Sequence, residues 1–419
     1  VSAGAVHLAR ENTGPYSMVE RSDWSRYDNG KYVGHVYREV RASIVPSLTT
    51  RGEAFLYQGN FFVLEETLRD LRQSARGLNA VIPVSFEVHR NGGLRIEDDQ
   101  GFPSLRGFPA FPPEAVGPGS KWTARGSRVV DPLNQGTPVV VPLVAEYEYR
   151  GIEVYRDIPV HRIAAKYASR YTGTAGGGQF HDLRGSHNVD ILLRVADGLP
   201  LLIRDNLDET FAWPDGSTVR FRGFTLIFGE GTIPMNRETL ISSLGATLGS
   251  SKNAAPAPQN PTPASPVVPL PAPPAAPPAP SSVPANPPNP PLPESIPGID
   301  MKAVPEGVRL TIRDIRFVPD SEEFLPAERP RLDLIAQALR DIPGRTFLVE
   351  GHTAAVGLPA GEKELSVGRA KRMVDELVRR GIPADRFIYK GWGGEKPLGD
   401  NAGEEGRRLN RRVEITILE

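Results

Sequence analysis

The feature that most limits what this chain can fold into is a run that cannot build a core. Asn253 to Pro293 reads "NAAPAPQNPTPASPVVPLPAPPAAPPAPSSVPANPPNPPLP", without one aromatic or charged side chain. Proline removes backbone donors and fixes φ, so neither a helix nor a sheet ladder is expected here, and an extended polyproline II path is. At full extension such a run reaches on the order of 120 Å, a semi-rigid spacer. It divides the 419 residues into a strand-rich region 1–250, a Pro/Ala-rich linker 251–299 and a C-terminal domain 300–419. Three roles are open to it: a reach device between two attachment points, an inert tether, or a docking peptide for a proline-reading partner. The last lacks a flanking arginine to orient it.

Composition narrows the function classes. The formal net charge is −1, with 24% charged and 39% apolar residues, which gives no general attraction to nucleic acid or to an anionic membrane surface. There is no cysteine, which excludes disulfide scaffolds and thiolate metal sites and is compatible with an oxidising compartment. No run of eighteen apolar residues exists to span a bilayer as a helix. The start "VSAGAVHLAR", without methionine, fits a chain whose leader has been removed.

Ahead of the linker, turn pairs punctuate alternating segments. They are Asn29-Gly30, Asn91-Gly92-Gly93, Arg150-Gly151, Asp197-Gly198 and Asp215-Gly216, the residues that accept the positive φ of tight hairpins. One helix is predicted in "FVLEETLRDLRQSARG", where Leu64, Leu68, Leu71 and Ala75 share a face and Gly77 stops it, and a second after Asn236 in "NRETLISSLGATLG". The region reads as antiparallel-rich α+β, with a division into two subdomains expected around Gly101 to Trp122. Arg38, Arg41, Arg194 and Arg204 within candidate strands argue against an outer-membrane barrel, whose outward face is apolar.

Chemistry in this region has three candidates. His181, Asp182, His187 and Asp190 lie close together in "QFHDLRGSHNVD", but their spacing matches no strong metal signature, and turn chemistry explains them. Asp205, Asp208 and Glu209 could pair as hydrolytic carboxylates, yet nothing fixes their separation. "TGTAGGGQ" lacks the spacing of a phosphate loop. Trp24, Trp122 and Trp213 read as packing residues. No catalytic group, metal or cofactor is implied.

After the linker, strand and helix alternate. "GVRLTIRDIRF", "RTFLVEG", "RFIYKGWG" and "RRVEITIL" read as strands; "PAERPRLDLIAQALRDI" and "GEKELSVGRAKRMVDELVRRG" read as helices. Leu332, Ile335, Ala336 and Leu339 form the buried stripe of the first helix, and Leu365, Ala370, Met373, Val374 and Leu377 that of the second. One mixed sheet with helices packed on it is predicted.

Over about 110 residues, Val308 to Glu419, "IRFVPDSEEF", "VEGHTAAVG", "ELSVGRAKRMVDEL", "GIPADRFIYKGWGGEKPLGDN" and "EEGRRLNRRVEI" follow in order, and this domain resembles the OmpA-like, peptidoglycan-associated family of bacterial envelopes. "RYDNGKYVGHVYREVR" and "VGPGSKWTARG" further resemble treponemal spirochaete envelope proteins that end in such a domain. The family resemblance implies a clamp on the diaminopimelate of the stem peptide: an aspartate in the loop after the second strand for the ammonium, and an arginine fifteen residues later for the carboxylate. Here the arginine is Arg369, but the aspartate position is Ala354, and the helix-start asparagine is Glu362. His352, Thr353, Gly357, Leu365, Ser366, Asn410, Arg411 and Arg412 match.

Glu362 or Glu364 could restore the carboxylate, for a diamino acid such as ornithine, or could simply complement the helix dipole; Arg369 could instead pair with Glu362 or Asp375. The cluster Arg407, Arg408, Arg411, Arg412 fits the family's last strand and does not indicate nucleic acid. The expectation is a non-enzymatic periplasmic protein, outer-membrane associated, with weak or altered peptidoglycan binding. The alternative is a structural or protein-interaction module without wall affinity.

Overall fold

The computed structural model describes residues 4–11, 14–51, 54–67, 75–173, 180–231, 235–249, 298–313, 315–318, 321–342 and 344–419. The proline-rich run and the centre of the helix expected over 62–77 lie outside the described residues. What is described on either side of that centre is strand, because Phe61 to Leu64 and Leu78 alternate into a sheet rather than around a cylinder.

The strand-rich region contains β1 (Tyr16–Asp28), β2 (Lys31–Arg51), β3 (Ala54–Leu64), β4 (Arg76–His89), β5 (Leu94–Ile96), β6 (Leu105–Arg106), β7 (Lys121–Val130), β8 (Val139–Tyr155), β9 (Ile158–Thr172), β10 (Asp182–Arg194), β11 (Pro200–Ala212) and β12 (Thr218–Gly231). All its pairings are antiparallel, in the order β5-β4-β3-β2-β1-β12-β11-β10-β9-β8-β7-β6. Chain neighbours pair throughout except β5 and β6, which are the two edges, and β1 also joins β12, so one long meander is spliced at its middle.

The hairpin chemistry explains the turns, with one correction. Asn29 and Gly30 adopt φ of 49° and 79°, and Gly198 and Gly216 are also left-handed. Arg150-Gly151 is no turn. Gly151, at φ 116°, sits in a register shift inside β8, and the hairpin comes later at Arg156 and Asp157, with φ of 49° and 63°.

Residues 97–104 link the two free edges of this sheet, β5 and β6, and residues 107–120 run on from β6 to β7. Phe108 and Phe111 pack in one cluster with Tyr147, Ile163 and Ile191, and Phe102 stacks on Phe61 at 5.2 Å. The sheet therefore curls around its own connection. Many outward positions are charged: Arg162, Lys166 and Arg170 on β9, Arg184 and Asp190 on β10, and Arg204, Arg220 and Arg222 on β11 and β12 are exposed, while β8 also exposes Val140, Val144, Ile152 and Val154. A lipid-facing barrel would carry apolar residues there.

The C-terminal domain contains β13 (Ile299–Val304), β14 (Gly307–Arg313), α2 (Arg329–Arg340), β15 (Phe347–Gly351), α3 (Pro359–Arg379), β16 (Phe387–Gly391), α4 (Glu404–Asn410) and β17 (Arg412–Leu418). The order is β13-β14-β17-β15-β16, and only β15 and β16 run parallel. This is the mixed sheet expected, preceded by a hairpin strand, β13, that the sequence did not signal. The stripes of α2 and α3 meet the sheet as predicted: Leu332, Ile335, Leu339, Met373, Val374 and Leu377 are buried, while Leu365 is half-buried.

Helix α1 (Arg237–Gly249), the one expected after Asn236, buries Leu244 and Leu248 in this same C-terminal core. Arg237 Nε donates to Glu419 at 2.8 Å. The edge strand β16 pairs in parallel with the start of β4, and Phe62, Leu64 and Leu78 share a cluster with Leu348, Ile388 and Leu418. An otherwise open edge is thereby covered. No helix among the described residues is long and apolar enough to cross a membrane.

Candidate ligand site on the C-terminal domain

The loop after β15 is held by its neighbours. His352 N–H donates to Arg412 O at 3.0 Å, Thr353 N–H to Gly393 O at 2.9 Å, and Ala355 N–H to Asn401 Oδ1 at 3.1 Å. Asn410 organises the facing loop: its Oδ1 accepts from Leu398 and Gly399 N–H at 2.6 and 2.9 Å, and its Nδ2 donates to Gly399 O at 2.8 Å. Buried Arg412 donates Nε to Glu414 at 2.7 Å. The matched positions 352, 353, 410 and 412 thus meet around one loop.

Glu362 has a defined job. Its Oε1 accepts the N–H groups of Val356 at 2.7 Å and Gly357 at 2.6 Å, so its carboxylate caps the loop that enters α3. Ala354 is buried and apolar. Arg369, half-buried on α3, lies with its guanidinium 4.6 Å over the Phe317 ring and its Nε 3.5 Å from Ser321 O. It therefore faces the segment before α2. Gly368 beside it is crowded by Glu322, whose carboxylate a Cβ would strike.

The surroundings are cationic. Lys363, Lys390 and Lys396 place their ammonium groups 5.3, 4.5 and 3.5 Å from the Trp392 ring. Burial, then Arg412, Lys396 and Arg309, push the His352 imidazole down to about 2, so it is neutral. Neither of its ring nitrogens, nor Thr353 Oγ1, has a hydrogen-bond partner among the described residues. The lysine ring was missed from the sequence, although Lys390, Trp392 and Lys396 are close together in "YKGWGGEK".

The candidates in the strand-rich region resolve differently. "HDLRGSHNVD" is mostly strand β10, not a loop, so alternation sends His187 inward and Asp190 outward, and the expected cluster disperses. Asp208 likewise faces out and pairs with Arg220. Asp205 and Glu209 face in and both bond His187, at 2.8 Å each. Ser169 Oγ lies 3.0 Å from His187 Nε2, a spacing reminiscent of a nucleophile, base and acid in series.

The hydrogen bonds oppose that reading. Ser169 donates to Glu209 at 2.6 Å. Burial and Arg128 act to lower the His187 pKa, but its bonds to Asp205 and Glu209 outweigh them and raise it, so both nitrogens act as donors. Ser169 and His187 are both buried. No free base and no open nucleophile result. No group of metal-ligating side chains is found among the described residues.

Residues 316–411 match the OmpA family. Among curated proteins, the peptidoglycan-binding protein ArfA of Mycobacterium tuberculosis (strain CDC 1551 / Oshkosh) is 35% identical over 125 residues, 30% of this chain and 38% of that protein. Outer membrane porin F of Pseudomonas aeruginosa is 35% identical over 116 residues, 27% of this chain and 33% of the porin. The chain thus spans well under half the length of either relative. A solved outer membrane protein from Borrelia burgdorferi B31 is 34% identical, over 29% of this chain and 97% of its own, with a TM-score of 0.25.

Proposed function

We propose that this is a non-enzymatic protein of the bacterial cell envelope, periplasmic and outer-membrane associated, whose C-terminal domain is directed at peptidoglycan through a site lacking the ammonium-binding half of the family clamp. The supporting observation is the fate of the nearest carboxylate: Glu362 is bonded to Val356 and Gly357, while buried Ala354 occupies the aspartate position. Three lysines around Trp392 make a second ammonium less welcome still.

Arg369 is the matched cation for a ligand carboxylate, and His352, Thr353, Gly357, Asn410 and Arg412 shape the loop after β15 and the loop that faces it. Loss of one charge-assisted hydrogen bond costs about 1.5–3 kcal/mol, roughly ten- to a hundredfold in affinity, so diaminopimelate binding is weak. Calorimetric titration with a diaminopimelate muropeptide, alongside sacculus co-sedimentation, tests this. Weak binding that Arg369→Ala weakens further is expected; submicromolar binding by the unaltered chain would remove the altered-clamp reading.

A second reading has its own observation. Val356, Leu358 and Leu398 are 70, 81 and 57% exposed beside the site. A protein-interaction module without wall affinity fits that apolar rim, and it is favoured if sacculi and muropeptides both fail to bind.

A further inference from the structure

The strand-rich region encloses a separate cavity of about 470 Å3, within the range of about 300–1,000 Å3 typical of small-molecule sites. Gln100, Gly136 and Pro138 line it and are exposed, which marks its mouth. Trp24, Val40, Ile82, Phe102, Leu207 and Phe221 make its walls largely apolar.

Most charges that line it are matched: Asp131 accepts the N–H groups of Gln135 and Gly136 at its mouth. Arg128 pairs with Glu209, and Asp205 accepts bonds from His187 and Tyr167. Arg38 pairs with Glu66 and donates to the carbonyls of Asp131 and Pro132 at 2.8 and 2.9 Å. Glu20 accepts one bond among the described residues, from Ser104 Oγ at 2.6 Å, and has no ion-pair partner there. Burial raises its pKa, and Arg128 and Arg38 only partly offset that. The wall also leaves Trp24 Nε1 buried without an acceptor among the described residues.

We propose that this cavity binds an apolar molecule carrying a single cationic amine, with the amine on the Glu20 carboxylate and the hydrocarbon against Trp24, Val40, Ile82 and Phe221. The ammonium supplies the countercharge that the protein withholds. A fatty carboxylate would meet Glu20 as a like charge, and the two arginines able to neutralise it are already engaged. A neutral chain would leave the carboxylate desolvated.

The test uses the full chain with decylamine, decanoate and decanol below their aggregation limits, read by tryptophan fluorescence and calorimetry. Decylamine is expected to bind saturably at one equivalent, at least about tenfold tighter than the other two. Glu20→Gln, close to isosteric, should erase that preference, and Val63→Trp, filling the cavity from another wall, should weaken all three. Decanoate binding as tightly as decylamine, no saturable amine binding, or a preference surviving in folded Glu20→Gln would overturn the proposal. The preference of the unaltered chain decides the matter even if a variant melts early.

Discussion

In the strand-rich region His187 lies between Asp205 and Glu209 with both ring nitrogens bonded; in the C-terminal domain His352 lies near Arg412, Lys396 and Arg309, with Glu414 Oε2 3.8 Å from Nε2, and neither nitrogen has a hydrogen-bond partner among the described residues. Both imidazoles are buried. One is an imidazolium inside a closed circuit of charge that also takes in Arg128, and the other is a neutral ring in a positive field. The difference shows what burial demands: a buried charge survives where neighbouring strands supply its counterions, and otherwise the group gives up its proton. A closed circuit fixes a sheet register, whereas open valences beside a loop suit a place where something docks.

The contrast breaks most readily at the circuit. Glu209→Ala leaves Arg128 and His187 without a shared carboxylate, and denaturant unfolding should show a loss of about 3–5 kcal/mol. A loss below about 1 kcal/mol would mean that the circuit is not held together as described. The two histidines should next separate in pH dependence. His352 has a folded pKa far below its unfolded value, so the unfolded chain binds the extra proton and stability falls as pH drops from about 6.5 toward about 2. That amounts to about 1.4 kcal/mol per pH unit from this group, and His352→Asn should flatten the decline between pH 6 and 4 by about 2 kcal/mol. His187 has the opposite sign: its stabilisation is complete below its unfolded pKa and is lost as pH rises through its raised folded value.

Two smaller changes sharpen the picture at the ligand site. Ala354→Asp puts a carboxylate where the proposed clamp lacks one and should tighten diaminopimelate muropeptide binding by about 1.5–3 kcal/mol in calorimetry, at some cost in stability without ligand. Glu362→Ala frees the N–H groups of Val356 and Gly357 and should lower thermal stability by about 1 kcal/mol. An equal loss in Glu362→Gln, whose side-chain oxygen can still accept both bonds, would point away from capping.

The C-terminal domain was legible in the sequence because each of its signals is local. Leu332, Ile335 and Leu339 repeat at helical spacing, and the order of strands and helices leaves few topologies. The family motifs named the residues of the proposed site, but not where Glu362 would turn. In the strand-rich region the tight turns were legible wherever positive φ was demanded by Asn or Gly. Leu64, expected on a helix face, lies in β3, and Gly151 mimicked a turn while serving a bulge. His187, Asp205 and Glu209 converge only through the pairing register of β10 and β11, which no spacing within either strand encodes. Glu20 meets Ser104 across 84 residues of chain for the same kind of reason.

The attachment of α1 carries a consequence for the proline-rich run. The helix that leads into the run and the strand that leaves it bury side chains in one core, Leu244 and Leu248 from the first and Ile299 from the second. Departure and return therefore happen on a single body, and the strand-rich module is already fastened to that body through β4 and β16. A protease that nicked the run would leave both halves in each other's grip, and lengthening or trimming it would leave the spacing between the cavity and the loop after β15 as it was.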